Sequence, residues 1–275
     1  MKELLIPVGN MECLKMAIMN GADAVYLGGK RFGARAFAGN FLDDEMVEAI
    51  EYVHLYGKKI YVTVNTLIYE SEFASALEYV GFLYEHGVDA VIMQDIGLMT
   101  ASLRQYPELI IHASTQVHTT NKEAVKFLER IGVSRIVFAR ELSLEEIELI
   151  DTPLEKEAFI HGALCISYSG QCLFSSCVMN RSGNRGMCAQ MCRLPYQLFK
   201  NEQKIETEGK YILSPKELNT TSIFKEIMDS TILSLKVEGR MKSPEYVACV
   251  TRLYRDLIDK YEQNKPVIPD ETLLK

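Results

Sequence analysis

Apolar and polar positions follow two alternating periods along the chain. Runs of strand length, nearly continuous in apolar residues, fall at 4–8, 21–27, 59–64, 87–93, 109–112, 132–138, 158–164 and 230–235. Between them, 46–55, 73–85, 122–131 and 244–261 carry apolar residues at helical spacing. Several runs open on a small or turn-prone residue, as in Gly21-Ala22-Asp23-Ala24-Val25 and Gly87-Val88-Asp89-Ala90-Val91. Apolar strands alternating with helices predict a parallel sheet covered on its outside, and about eight such units predict an α/β fold of the (β/α)8 TIM-like barrel type, regular or irregular. An open doubly wound sheet is the alternative. It calls for a G-x-G-x-x-G turn after the first strand, where this chain has Val8-Gly9-Asn10-Met11.

The repeat breaks after the seventh strand. Residues 165–211 are too long for an ordinary connection and rich in Gly, Ser, Asn and Cys. Within them, 196–200 and 204–207 read as a hairpin. An insertion after a barrel strand is expected over the carboxyl-terminal mouth, where barrel enzymes keep their chemistry. A single barrel domain over residues 1–275 is therefore expected, with 165–211 as an insertion inside it.

Composition narrows the class. The chain has 275 residues, 48% of them apolar, and no uninterrupted apolar run of membrane-spanning length, so a globular protein without a membrane partner is expected. The start Met1-Lys2-Glu3 lacks the basic flank of a secretory signal, which predicts a cytoplasmic location. Thirty basic against 37 acidic residues give a net charge of −7, which by itself argues against nucleic acid. The charge is uneven, however: residues 158–201 hold Arg181, Arg185, Arg193 and Lys200 with no acid, so this stretch carries +4 and the rest −11.

In a barrel, the residues that follow each strand converge. Here they include Lys30, Arg31, Arg35, Asn65, Gln94, Asp95, Ser114, Gln116, Arg140, Glu141, Glu238, Arg240 and Lys242. So many guanidinium groups favour a carboxylate- or phosphate-bearing small molecule, with Arg31, Arg35, Asn65, Gln116, Arg140 and Arg240 as its binding residues. The competing reading is that these groups pair with Asp95, Glu141 and Glu238 or cap helices. Glu238 and Glu141 are the candidates for proton transfer, since a carboxylate among arginines stays ionised and suits a base. His161 is a third catalytic candidate, against a reading as a satisfied histidine of the barrel interior. If extended, His161 and Cys165 stand about 13 Å apart, and His112 and His118 about 20 Å, so neither pair forms a ready constellation. H-E-x-x-H, G-x-S-x-G and P-loop patterns are absent.

Seven cysteines are too few and too unpaired for a disulfide scaffold. Cys13 and Cys249 read as isolated structural thiols. Cys165, Cys172, Cys177, Cys188 and Cys192 fall within 28 residues of polar sequence, where there is no core for them to fill. Four thiolates on a glycine-bearing loop can bind zinc or an iron-sulfur cluster, and the irregular spacing suits a cluster better than a compact zinc ribbon.

The segments Glu157-Ala158-Phe159-Ile160-His161-Gly162-Ala163-Leu164-Cys165 and Gly170-Gln171-Cys172-Leu173-Phe174-Ser175 resemble the signature of peptidase family U32, the collagenase-like proteins. The resemblance extends to Asn184-Arg185-Gly186-Met187-Cys188-Ala189-Gln190-Met191-Cys192-Arg193, to Lys236-Val237-Glu238-Gly239-Arg240-Met241-Lys242, to the Pro7-Val8-Gly9 start and to 21–41, and so covers essentially the whole chain. It implies an RNA-modifying enzyme that hydroxylates a pyrimidine of tRNA, or less readily rRNA, drawing on prephenate. The implied four-iron four-sulfur cluster would sit on Cys165, Cys172, Cys188 and Cys192. The family name implies the alternative of a peptidase, a hydrolase; a non-catalytic partner protein held by a structural zinc is the third reading. Two departures stand out. Asn219 occupies a position where several members carry cysteine, which leaves three outcomes open: Cys188 and Cys192 both bind, which is the favoured one, or Cys177 joins, or the cluster is lost. The small β-rich domain of longer members is expected to be absent, the chain stopping at Lys275. Oligomeric state is not legible.

Overall fold

The computed structural model describes residues 2–35 and 38–269; the ends of the expected 1–275 domain and part of the 21–41 match lie outside the described residues. Strands β1 (Glu3–Pro7), β2 (Ala24–Gly28), β3 (Lys59–Val64), β4 (Ala90–Met93), β5 (Ile111–Ala113), β6 (Arg135–Val137), β7 (Glu155–Gly162) and β11 (Ser234–Val237) pair in parallel. β11 lies between β7 and β1, and β6 pairs with β7, so the sheet closes into an eight-stranded barrel. Helices α1 (Met11–Met19), α2 (Asp43–Leu55), α3 (Glu70–Glu85), α4 (Ile96–Gln105), α5 (Lys122–Ile131), α6 (Leu144–Glu148) and α9 (Pro244–Glu262) lie between or after these strands. This is the (β/α)8 TIM-like architecture that the periodicity predicts.

Local chemistry starts the helices. Asn10, Asp95 and Asn121 cap α1, α4 and α5 by accepting a backbone N–H, and Ser143 and Ser243 do the same for α6 and α9. α2 begins three residues before the predicted 46, because Asp43, Asp44 and Glu45 are exposed but favoured in a first turn.

The strands alternate between two environments. Leu4, Ile6, Val25, Leu27, Val62, Val91 and Ile136 face the helices and form the main core. The opposite face fills the barrel with the small cluster Leu5, Ala24, Tyr26, Tyr61, Ala90 and Ile92, and beside it runs a buried chain of charges. Arg135 bonds Glu3 at 2.6 Å, Glu155 at 2.7 Å and Glu157 at 3.1 Å, and Glu157 accepts from Lys236 at 2.6 Å. This explains two boundary differences. β7 starts at Glu155, before the predicted 158, because Glu155 and Glu157 pair with Arg135 while Lys156 donates to Ile147 O and Thr231 Oγ1. The eighth barrel strand runs to Val237, beyond the predicted 235, because Lys236 points inward on its carboxylate partner.

His112 is 3% exposed, edge-on to the Tyr61 ring at 4.7 Å, with Nδ1 bonded to nothing among the described residues. Burial, reinforced by Arg135 and Lys236, pushes its pKa well below the ordinary 6.5. The unfolded chain therefore binds a proton near pH 6 that the folded chain refuses, and this contribution to stability is lost as pH falls below about 6.5, by up to about 1.4 kcal/mol per unit. Urea unfolding of His112→Leu is expected to depend less steeply on pH between 7 and 5 than that of the parent; parallel curves would refute this.

Between β7 and β11 the chain forms α7 (Phe174–Met179), an exposed antiparallel hairpin of β8 (Leu198–Lys200) and β9 (Gln203–Ile205), the short β10 (Leu218–Asn219) and α8 (Phe224–Asp229). The hairpin overlaps the predicted pair, its second strand starting at Gln203, one residue before the predicted 204. β10 pairs antiparallel with the end of β7, which ties the excursion to the barrel rim.

Candidate active site

A cavity of about 490 Å³ opens at the carboxyl ends of the strands, with the insertion as one wall. Glu238, just past β11, is its central carboxylate, with a side chain 12% exposed. Arg35 from the β2–α2 loop and Arg140 from the β6–α6 loop reach it at 3.4 and 3.5 Å. Burial raises the pKa of Glu238, but Arg35, Arg140, Arg240 and Lys236 together outweigh it and hold the group below its ordinary value, hence ionised. Glu238 in turn raises the pKa of Arg35. Arg240 is 5% exposed and donates to Thr63 Oγ1 at 2.9 Å; burial, then repulsion by Arg35, pushes its pKa down to about 10, leaving it charged at neutral pH.

The floor is Tyr26, Phe159 and Lys236. The Lys236 ammonium lies 4.4 Å from the Tyr26 ring centroid and 5.5 Å from that of Phe159, and Arg140 stacks on Phe159 at 4.2 Å. The buried Nε of Arg140 and Oε1 of Gln116, both in the lining, have no protein partner among the described residues. Asn65 lines the wall while its Oδ1 accepts from Ala34 N. The lining thus holds Arg35, Arg140, Arg193, Lys236, Arg240 and Lys242 against Glu217 and Glu238, with Lys242 paired to Glu217 at 2.9 Å; the surplus of positive charge suits a ligand with two anionic groups.

Three expected site residues lie elsewhere. Arg31 pairs with Asp43 at 3.0 Å and stacks on Tyr79, outside the cavity lining. Glu141 accepts from the backbone N and Oγ of Ser169, so it anchors the loop between Cys165 and Cys172. His161 is neither in the interior nor in the cavity. Counting by twos from Glu157 and Phe159 places it inside, but the β7–β11 register shifts so that Lys236 pairs with Phe159 and Val237 with His161. The extra residue turns His161 outward, where Nδ1 lies 3.1 Å from the Tyr254 hydroxyl on α9. Beyond the shift, Gly162 at φ +106° lets β7 meet the Glu238 backbone, which a Cβ would strike. Asp95, Lys30 and Ser114 cap helices or bond backbone, as the competing reading holds.

Cys165, Cys172, Cys188 and Cys192 all line this cavity. Burial raises the pKa of Cys172 and of Cys192, and each is raised further by the other cavity thiols. One sulfur accepts the backbone N–H two residues on, Cys188 from Gln190 at 3.4 Å. The Ser175 hydroxyl adds a 3.8 Å contact to Cys188. Such donors stabilise thiolate, the ligating form. No three His, Cys, Asp or Glu side chains among the described residues close on one point as ligands of a single ion. Zinc takes four such ligands at about 2.0–2.3 Å from one centre and a four-iron cluster takes them on separate corners, so an all-thiol donor set at one mouth is one that a cluster could use. Cys177 is exposed on α7 and does not line the cavity, and Asn219 Oδ1 is taken by Thr221.

Sequence reasoning missed Lys236, Tyr26, Ser169 and Glu217 in the lining. A readable signal existed for Lys236, a lone charge inside an apolar strand run.

A model of peptidase family U32 matches residues 9–273. The chain belongs to peptidase family U32. Among curated U32 relatives, it is 42% identical over 259 residues to the 23S rRNA 5-hydroxycytidine C2501 synthase of Escherichia coli K12, covering 94% of this chain and 39% of that protein. It is 40% identical to the tRNA hydroxylation protein P1 of Bacillus subtilis 168, covering 94% and 63%. It is 35% identical to a protein of Porphyromonas gingivalis W83 named collagenase, covering 94% and 66%. The chain thus spans between 39% and about two thirds of the length of these relatives. The solved U32 peptidase Mk0906 shares the fold at a TM-score of 0.50 and 16% identity, over 60% of this chain and 70% of that one. No helix among the described residues is long and apolar enough to cross a membrane.

Proposed function

We propose that this U32 chain is the barrel of an RNA-modifying enzyme that hydroxylates a pyrimidine, in tRNA more readily than rRNA, with a four-iron four-sulfur cluster on Cys165, Cys172, Cys188 and Cys192 and a prephenate-like dicarboxylate as donor. The observation that carries the reading is the meeting of four thiols with an arginine-rich anion cavity at one barrel mouth. When bound on four thiolates, the cluster would supply an electron. Arg35, Arg140 and Arg240 hold the two anionic groups of the donor, with the free Nε of Arg140 and Oε1 of Gln116 available to it. Glu238, kept ionised, accepts a proton at its carboxylate. The base must arrive unstacked from a single-stranded loop, because the cavity is too narrow for a duplex.

The peptidase reading is weaker here. Ser169 Oγ donates to Glu141 Oε1 at 3.2 Å, while His118 Nε2 lies 3.9 Å from Glu141 Oε2. The carboxylate therefore stands between hydroxyl and imidazole, so the imidazole cannot take the hydroxyl proton as acyl transfer requires.

Anaerobic purification with reconstitution is expected to give a brown protein with about four irons per chain, and Cys165→Ala to lose most of the iron. Nucleosides of bulk RNA from a strain lacking the gene are expected to lose one hydroxylated pyrimidine by mass spectrometry. A colourless protein after reconstitution would refute the cluster, and an unchanged nucleoside profile the RNA substrate.

A further inference from the structure

We infer that Arg193 is a positioning residue: its forked guanidinium gathers the cysteine-bearing segments into one set, and the fork rather than the charge does so. The inference rests on the cluster reading above for its purpose, but its geometry stands by itself. Arg193 follows Cys192 directly. Its Nη1 donates to Ser214 Oγ at 2.5 Å and to Pro215 O at 2.6 Å, and its Nη2 donates to Leu164 O at 2.7 Å. Leu164 precedes Cys165, and Pro215 stands two residues before Glu217 in the cavity wall. One planar group therefore pins three stretches: the end of β7 that launches Cys165, the turn that carries Cys192, and the segment that leads into β10. All three bonds come from one side chain in fixed directions, which lysine, a point charge on a flexible stem, cannot reproduce.

The neighbourhood shows a division of labour. Arg185, before Cys188, reaches away from the sulfurs to Leu67 O and to Glu72 at 2.6 Å, with its guanidinium 4.0 Å from the Tyr69 ring centroid. It fastens the insertion to the β3–α3 loop. Tyr196 closes the Cys192 turn by donating to Met191 O at 2.9 Å. Of these contacts, the Arg193 fork directly ties the Cys165 segment to the Cys192 turn. Its positive charge also lowers the pKa of Cys192 against burial and the neighbouring thiols.

The test compares parent, R193K and R193Q as purified full chains. Iron per chain and visible absorption are measured after anaerobic reconstitution. In the metal-free protein, dibromobimane, which fluoresces on bridging two neighbouring thiols, is reacted and the bridged peptides are mapped by mass spectrometry. Both variants are expected to lose several-fold in bridging between Cys192 and Cys165 or Cys172, and several-fold in iron, with the barrel melting temperature nearly unchanged. Parental bridging and iron in R193K would overturn the inference while leaving the cluster reading intact. A parent that takes up no iron, with bridging still lost in both variants, would overturn the cluster reading and keep the positioning role. A large fall in melting temperature with bridging retained would show a general structural role instead, and also overturns it.

Discussion

Replacing Glu157 with glutamine is expected to cost about 3–5 kcal/mol of folding stability, a large share of the 5–15 typical of a domain. Glu157 is fully buried and is the carboxylate on which both Arg135 and Lys236 close. Arg135 keeps Glu3 and Glu155 when the charge is removed, but Lys236, 4% exposed, has no other ion-pair partner among the described residues. The damage is therefore an orphaned ammonium inside the barrel rather than the loss of an attraction. From this follows an ordering that a simple count of bonds would not give. Lys236→Met, which leaves Glu157 with Arg135, should cost less than Glu157→Gln, and the double variant less than the sum of the two singles. Chemical denaturation of the four proteins closes the cycle. A Glu157→Gln variant within about 1 kcal/mol of the parent would mean that water or rearrangement satisfies Lys236, and the orphaned-ammonium account would fail.

Glu238→Gln is expected to separate turnover from binding. The substitution keeps the shape but removes the charge that faces Arg35 and Arg140. If Glu238 accepts a proton during the reaction, the rate of RNA hydroxylation should fall by about 10²–10⁴-fold. Affinity for a dicarboxylate should hold or improve, because two arginines are released and a like charge is gone. Calorimetric titration with the donor and single-turnover assays on unmodified RNA read the two effects separately. Because the arginines hold the pKa of Glu238 below 4.5, this group is charged throughout pH 5–8 in the free protein, and no acid limb of its own should appear in that range. Equal losses of affinity and rate would recast Glu238 as a scaffold for the arginines alone.

The two expectations concern adjacent layers of one column. Glu157 holds Lys236 up into the floor, and Lys236 adds its charge to the field that keeps Glu238 ionised. The buried ion pairs thus connect fold stability to the electrostatics of the cavity, which accounts for charges inside a barrel that is elsewhere filled by Leu5, Tyr26, Tyr61 and Ile92.

The barrel, its element order and the place of the insertion were legible in the chain, as was the grouping of four thiols that line one cavity. Strand periodicity and the clustering of Cys165, Cys172, Cys188 and Cys192 are local properties, and one long excursion after the seventh strand has one mouth to cover. The convergence of Arg35, Arg140, Arg240 and Glu238 followed from the same reasoning, since residues after parallel strands meet at one end. Tertiary structure alone decided which polar residues face the cavity. A single register shift between β7 and β11 reversed the side on which His161 lies, and no pattern within either strand encodes a shift that depends on their pairing. Partners distant in sequence drew Arg31 to Asp43 and Glu141 to Ser169. Glu157 and Lys236, 79 residues apart, became a buried pair only because closing the sheet makes their strands neighbours. Periodicity specifies how each strand presents its two faces; what a charge on the inner face will meet is set by which strand lies beside it.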